Sequence, residues 1–246
     1  GQAQEIVERV RSGLGLGLSL QKVTGTRYDY AVRGLGKGRP NPMKESLRGL
    51  GLWGHRAPDK FIPEDYLWND QEVRLGLLRG LMDTDGSVRR DRHVRFCSTS
   101  EHLIGGVEFL VRSLGGLTKR TMRRVDAGVD GGHRLRDHWV RHRHDSYTLS
   151  IKLPPQTNPF LLERKARRLD DLARHPRRWI ESIETNGEGQ AVCFKVEHPS
   201  GLFLINDFIV THNTTLVSFD QARAKGLPLE FANGGRQIRL VDGDKV

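Results

Sequence analysis

Apolar positions along the chain recur with two different periods. In "QEVRLGLLRGLMD", beginning at Gln71, the residues Val73, Leu77, Leu78 and Leu81 return at helical spacing and predict a helix with one buried stripe. The following "HVRFCS" alternates apolar and polar, which predicts a half-buried strand. A helix is expected over 100 to 114, then basic strand-like runs around 117 to 125 and 138 to 152, then a helix over 159 to 173 in "FLLERKARRLDDLAR". From Arg178 the pattern changes to short strands: "WIESIE", "AVCFKV", "GLFLI" and "DFIVT". Residues 1 to 70 differ again. Their glycine-rich stretches, "SGLGLGLSL" and "LRGLGLWGHRAPDKFIPEDYL", read as a helix or two with connections, punctuated by Pro58 and Pro63. No internal repeat is evident. Four zones result, 1–70, 71–175, 176–213 and 214–246, and their mixture of elements gives an α+β class.

Composition narrows the partners. At 246 residues the chain is long enough for one large or two ordinary domains with real cores. Forty Lys and Arg stand against 30 Asp and Glu, and the net charge of +10 favours a polyanionic partner, most simply nucleic acid. Only Cys97 and Cys193 are present, so no disulfide framework is expected and a single thiol is available for chemistry. No apolar run approaches a membrane span and no signal peptide opens the chain, so a soluble, cytoplasmic protein is expected.

The most specific motif is "LLRGLMDTDGSV". Leu78, Gly80 and Leu81 set a helix face with a small residue, through which two such helices can approach closely. The helix is expected to end at Asp83-Thr84-Asp85-Gly86, with Gly86 in the left-handed conformation of a C-cap. Asp85 then sits at the bottom of a close-packed helix pair, where it can hold a hard divalent cation. The run L-R-G-L-M-D-T-D-G at 78–86 resembles the motif of the LAGLIDADG homing endonucleases, and "VRFCSTSEHLIGGVEFLVRSLGG" resembles the strand and long helix that follow it in that family. The resemblance implies a catalytic, metal-binding role for Asp85 and Mg2+ as cofactor of DNA cleavage. It also implies that residues 71–175 are an endonuclease half, a curved antiparallel sheet with helices whose strands saddle double-stranded DNA. Arg89, Arg90, Arg92 and Arg95, expected on one side of the first strand, and then Lys119, Arg120, Arg123, Arg124, Arg141 and Arg143 supply charge that releases counterions from phosphates. His133, His138, His142 and His144 match no usual zinc spacing and are read as positions near DNA.

The stretch "AVCFKVEHPSGLFLINDFIVTHN", followed by Thr214, resembles the C-terminal end of an intein, a common host of inserted endonucleases. By that resemblance Asn213 cyclises, His212 assists, and residues 176–213 are the last strands of a Hint-type β domain. Thr214 is then the first residue of a downstream host (extein) segment, 214–246. Cys193, in a place where inteins usually carry Asp, together with Thr211 before His212-Asn213, resembles the class 3 inteins. There an internal Cys attacks the upstream splice junction and forms a thioester. An N-terminal splicing half and a second endonuclease motif are not found. Residues 1–70 therefore read as linker and partial endonuclease region, and the missing N-terminal intein half as a partner. "TTLVSFDQARAKG" can continue a P-loop, which makes a P-loop ATPase, such as a helicase, a candidate host. Two other readings remain open, a non-cleaving DNA-binding relative of the same fold and an inactive remnant.

Overall fold

The computed structural model describes residues 2–15, 17–34, 36, 40–125, 132–135, 138–169, 175–182, 184, 196–212, 229–232 and 237–240. The chain divides into two compact units, 1–183 and 184–246.

The first unit begins with helix α1 (Gln2–Gly13), an antiparallel hairpin of β1 (Leu18–Lys22) and β2 (Tyr30–Gly34), and the short helices α2 (Pro42–Gly49) and α3 (Glu64–Leu67). The hairpin is not among the expected elements, because "SGLGLGLSL" carries too many glycines to read as a strand. Helix α4 (Gln71–Thr84) then leads into β3 (Gly86–Val88) and β4 (Val94–Ser98), and helix α5 (Glu101–Ser113) into β5 (Leu117–Arg123). A small hairpin, β6 (Gly132–Leu135) with β7 (His138–Arg141), precedes β8 (Ser146–Lys152) and α6 (Glu163–Ala166). Strands β3, β4, β8 and β5, in that order, make a four-stranded antiparallel sheet. The run expected over 138 to 152 is thus two strands belonging to two sheets.

Helix α5 covers one face of this sheet, against β4, β5 and β8, and α4 lies beside it on β3. Fully buried Leu78 and Met82 of α4, Phe96, Ile104, Val107, Leu110, Val111 and Leu149 form the core. Truncating such a side chain, Leu110 for example, costs about 2–5 kcal/mol. The start of α5 is set by Ser100, whose hydroxyl accepts from the Leu103 N–H at 3.0 Å and donates to the Lys60 carbonyl at 2.5 Å. Its end is set by Gly115, in the left-handed region at φ +78°.

The expected stripe of α4 holds at Leu77, Leu78 and Leu81, gains Leu75 and Met82, and fails at Val73. Leu78 and Met82 are buried in the core, Leu75, Leu77 and Leu81 are partly buried and pack against it, and Val73 is 38% exposed. Val73, Gly76 and Gly80 are exposed, and a Cβ added at either glycine would meet nothing within 4 Å. The helix expected over 159 to 173 is, among the described residues, only α6 and one 3-10 turn, Arg167–Leu169. Before it, Asn158 accepts from the Phe160 N–H at 3.0 Å, and Phe160 and Leu162 are buried from a non-helical segment. Residues 175–182, including most of "WIESIE", form no strand, and Trp179 and Ile180 are largely exposed.

In the second unit β9 (Leu202–Ile205) pairs with β10 (Ile209–His212), matching the expected "GLFLI" and "DFIVT", and β11 (Leu229–Ala232) pairs with β12 (Gln237–Leu240).

Candidate nucleic-acid interface and acidic centre

Asp85 is the C-cap of α4 and is exposed, with its N–H bonded to the Leu81 and Met82 carbonyls. Its carboxylate accepts from the Thr84 hydroxyl at 3.3 Å. Gly86 is not left-handed; it opens β3 in ordinary strand conformation. Glycine is needed there because an added Cβ would lie 2.6 to 2.7 Å from the Met82 carbonyl oxygen, Cα and Cε. The strand therefore leaves the helix by grazing its last turn, which keeps Asp85 at the junction of helix and sheet.

The neighbouring Asp83 has a different task. It accepts backbone N–H groups of Leu161 and Leu162, each at 3.2 Å, and so ties the segment before α6 to the end of α4. That segment delivers Lys165, a residue not singled out by its sequence context. Lys165 is 6% exposed, and its ammonium donates to the carbonyls of Met82 at 2.9 Å, Asp83 at 2.8 Å and Gly86 at 2.7 Å. All three protons are used, and the negative end of the α4 dipole meets a fixed positive charge. Burial pushes the Lys165 pKa below the ordinary lysine value, Arg164 pushes the same way, and Asp83 and Asp85 oppose both. A carboxylate and a buried ammonium thus share one helix end.

The sheet face opposite the helices is a row of cations and small polar groups. Core-facing Val94, Phe96, Tyr147, Leu149 and Ile151 alternate with Arg95 and Cys97 on β4 and with Ser146, Thr148, Ser150 and Lys152 on β8. On β5 the same face carries Leu117 at its start and then Lys119, Thr121 and Arg123. These outward side chains include no acid. Arg95 Nε is buried with no hydrogen-bond partner among the described residues.

The expected basic residues separate into groups. Arg95, Lys119 and Arg123 lie on this outward face, with Arg123 also 2.9 Å from His142 Nδ1. Arg89, Arg90 and Arg92 do not share one side of a strand with Arg95; they form the β3–β4 turn, where Arg92 is left-handed and Arg89 lies 3.7 Å from Asp91. Arg120 alternates to the helix side, where it meets Glu101 at 2.5 Å and lies 4.7 Å over the Tyr147 ring. Arg124 and Arg143 are exposed in the connections between β5 and β8, and Arg141 ends β7. Lys152, Thr148 and Ser150, absent from the expected set, join the face because strand alternation brings them beside Lys119 and Arg95. The signal was the period of two in "SYTLSIK".

No group of three or more metal-ligating side chains occurs among the described residues. Magnesium often takes only one or two carboxylates, completing its shell with water and phosphate oxygens, so exposed Asp85 fits as one ligand. In the second unit Thr211 is half-buried on β10 opposite Phe203, and the His212 backbone pairs with Leu202. His198 lies in the turn before β9, 2.8 Å from the Ser200 hydroxyl. Cys193, Asn213 and Thr214 lie outside the described residues. No helix among the described residues is long and apolar enough to cross a membrane.

Residues 72–143 match the family model of the LAGLIDADG-like domain. The chain is 29% identical over 180 residues to the replicative DNA helicase DnaB of Mycobacterium intracellulare, covering 71% of this chain and 28% of that protein. It is 44% identical over 68 residues to the ATP-dependent DNA helicase Hel308 of Thermococcus kodakarensis, which is 25% of this chain and 6% of the helicase. The replicative helicase DnaB of Rhodothermus marinus is 32% identical over 94 residues, 36% of this chain and 10% of that protein. The chain thus spans less than a third of the length of these relatives. Among solved structures, a variant of I-DmoI in complex with its target DNA in the presence of Mg is similar at 17% identity, over 61% of this chain and 88% of that one, with a TM-score of 0.25. The chain contains a LAGLIDADG-like domain of mixed helix and antiparallel sheet.

Proposed function

We propose that the chain is part of an intein that carries a magnesium-dependent DNA endonuclease for its own homing. The observation that carries the DNA half is the one-sided sheet: cations and small hydroxyls on one face without an acid, and Asp85 at the helix end beside it. Lys119, Arg123, Arg95 and Lys152 would neutralise phosphates, while the short side chains between them let a duplex lie close. Asp85 would hold magnesium, which supplies positive charge to the phosphodiester and makes a bound water easier to deprotonate. Lys165, held by three carbonyls, keeps the helix end in place and offsets the charge of Asp83 and Asp85. The open side of α4 with Gly76 and Gly80 suits a second motif helix, supplied in trans or by a second copy, which double-strand cleavage requires.

The intein half rests on Cys193, Thr211, His212, Asn213 and Thr214. In that chemistry the Asn213 side-chain nitrogen attacks its own carbonyl carbon, the peptide bond to Thr214 breaks, and the Thr214 amine leaves with a proton that His212 can deliver. Matches to two differently named helicases, over 28% of one and 6% of the other, support an inserted segment more than a helicase core. They also favour a helicase as the P-loop host of residues 214–246. Titration of duplex DNA at two ionic strengths tests the first half, and equal affinity at both would count against it. Mass spectrometry tests the second, with a break between Asn213 and Thr214 as the expected result.

A further inference from the structure

Three successive backbone N–H groups, of Leu161, Leu162 and Glu163, are taken by carboxylates from two helices far apart in the chain. Asp83 of α4 accepts the first two at 3.2 Å, and Glu5 of α1 accepts the third at 3.1 Å. The carbonyl of Leu161 is held as well, by the Arg9 guanidinium at 2.8 Å. Arg9 and Glu5 lie one turn apart on α1 and meet each other at 3.4 Å, so the helix offers a donor and an acceptor as one pair. Two residues beyond Glu163 comes Lys165, whose ammonium closes the end of α4. Residues 161–163 are therefore a bridge, with α1 on one side and the helix end that bears Asp83 and Asp85 on the other. Apolar packing of α1 is incomplete, since Ile6 and Val10 are 43% and 39% exposed, which leaves the polar ties a larger share in setting where the bridge lies.

We propose that Glu5 and Arg9 are positioning residues for the acidic centre: they hold residues 161–163 from the side of α1 and thereby fix the end of α4 where Asp85 stands. The inference rests on the cleavage reading above and adds to it two side chains that act through the backbone. Asp83 is anchored by the Leu161 and Leu162 amides, and those amides stay in place only while the next peptide is held too. When Glu5 or Arg9 lets go, the bridge gains freedom, Asp83 loses its partners for part of the time, and Asp85, the C-cap two residues on, shifts with it. Small displacements suffice, because reaction rates fall steeply when a catalytic group leaves its place.

The experiment compares Glu5→Ala, Glu5→Gln and Arg9→Ala with the unsubstituted chain, well below their melting temperatures. The Glu5 and Arg9 side chains are 30% and 46% exposed, so these substitutions leave the core in place. Hydrogen exchange without metal is read first. The Leu161, Leu162 and Glu163 amides should exchange about tenfold faster in Glu5→Ala and at close to the original rate in Glu5→Gln, which keeps an oxygen acceptor. Cleavage at saturating duplex, with a second motif supplied, is read next. Glu5→Ala and Arg9→Ala should lower its rate about tenfold and raise the magnesium concentration at half-maximal rate, with duplex affinity unchanged, and Glu5→Gln should restore both. Original cleavage rate and magnesium midpoint in folded Glu5→Ala and Arg9→Ala chains, unaltered amide exchange, or a Glu5→Gln chain as slow as Glu5→Ala would each overturn this inference and leave the DNA reading standing. Absence of magnesium-dependent cleavage by the unsubstituted chain under the same conditions would remove the cleavage reading and this inference with it.

Discussion

Lys165 shows how one side chain can serve both stability and chemistry. Its ammonium meets three backbone carbonyls at the end of α4, the helix terminus where carbonyls run short of intrahelical donors. Lys165→Met keeps the stem and removes the donors, and should lower stability by about 2–4 kcal/mol in denaturant unfolding. Folding lowers the pKa of this group, so the unfolded chain holds the proton more tightly. The stability it contributes is therefore greatest above the ordinary lysine pKa and falls as pH drops through the lower folded value. The difference between the unsubstituted chain and Lys165→Met should widen as pH rises across that window; a difference that narrows would refute the burial argument. Asp85 is exposed, and its carboxylate accepts from the neighbouring Thr84 hydroxyl. Asp85→Asn should leave melting within about 0.5 kcal/mol of the original and DNA affinity nearly intact, while magnesium-dependent cleavage, measured with the second motif supplied, is lost.

At the scale of the element, α4 carries glycines of two kinds. Gly86, just beyond its end, lies against Met82 so closely that a Cβ would strike backbone atoms. Gly86→Ala should cost about 1–3 kcal/mol and shift β3, and a melting temperature equal to that of the unsubstituted chain would show that the turn relaxes freely. Gly80, on the open side, has nothing within 4 Å of an added Cβ. Gly80→Ala should stabilise the chain by up to about 1 kcal/mol through helix propensity, yet weaken any association of this face with a second motif helix. Opposite signs in unfolding and in self-association or complementation are the expected pattern. Motif spacing alone marks both glycines as special, but only the neighbouring atoms separate a crossing contact from an open surface.

For the whole molecule, the charge of +10 matters by its placement. Arg120 meets Glu101, Arg112 meets Glu108 and Arg48 meets Glu45, so these cations are partly neutralised within the fold. The outward strand residues remain available to phosphates. Lys119→Ala and Arg123→Ala should each reduce the slope of log affinity against log salt by about 0.9, whereas Arg120→Ala should leave the slope unchanged and lower stability by up to about 1 kcal/mol through loss of its part-exposed pair. An Arg120 effect on the slope equal to that of Lys119 would mean that the two faces are wrongly assigned.

Much of this architecture is legible in the sequence because local periodicity reports burial directly. The α4 helix, the "HVRFCS" strand, α5 and the β9–β10 hairpin all follow from apolar spacing, and the place of Asp85 at a helix end follows from the motif. The β1–β2 hairpin was hidden because the glycines of "SGLGLGLSL" leave no alternation of side chains to read. Lys165 was hidden for another reason. Its partners are carbonyls about eighty positions earlier in the chain, and a backbone acceptor leaves no mark on residue type. By itself the sequence determined α4, α5, the "HVRFCS" strand and the β9–β10 pair, the net charge and the acid at the end of α4. Only the tertiary structure decided which side of α4 is buried, which cations reach the outward face and which lysine closes the helix, because each depends on distant segments meeting in space.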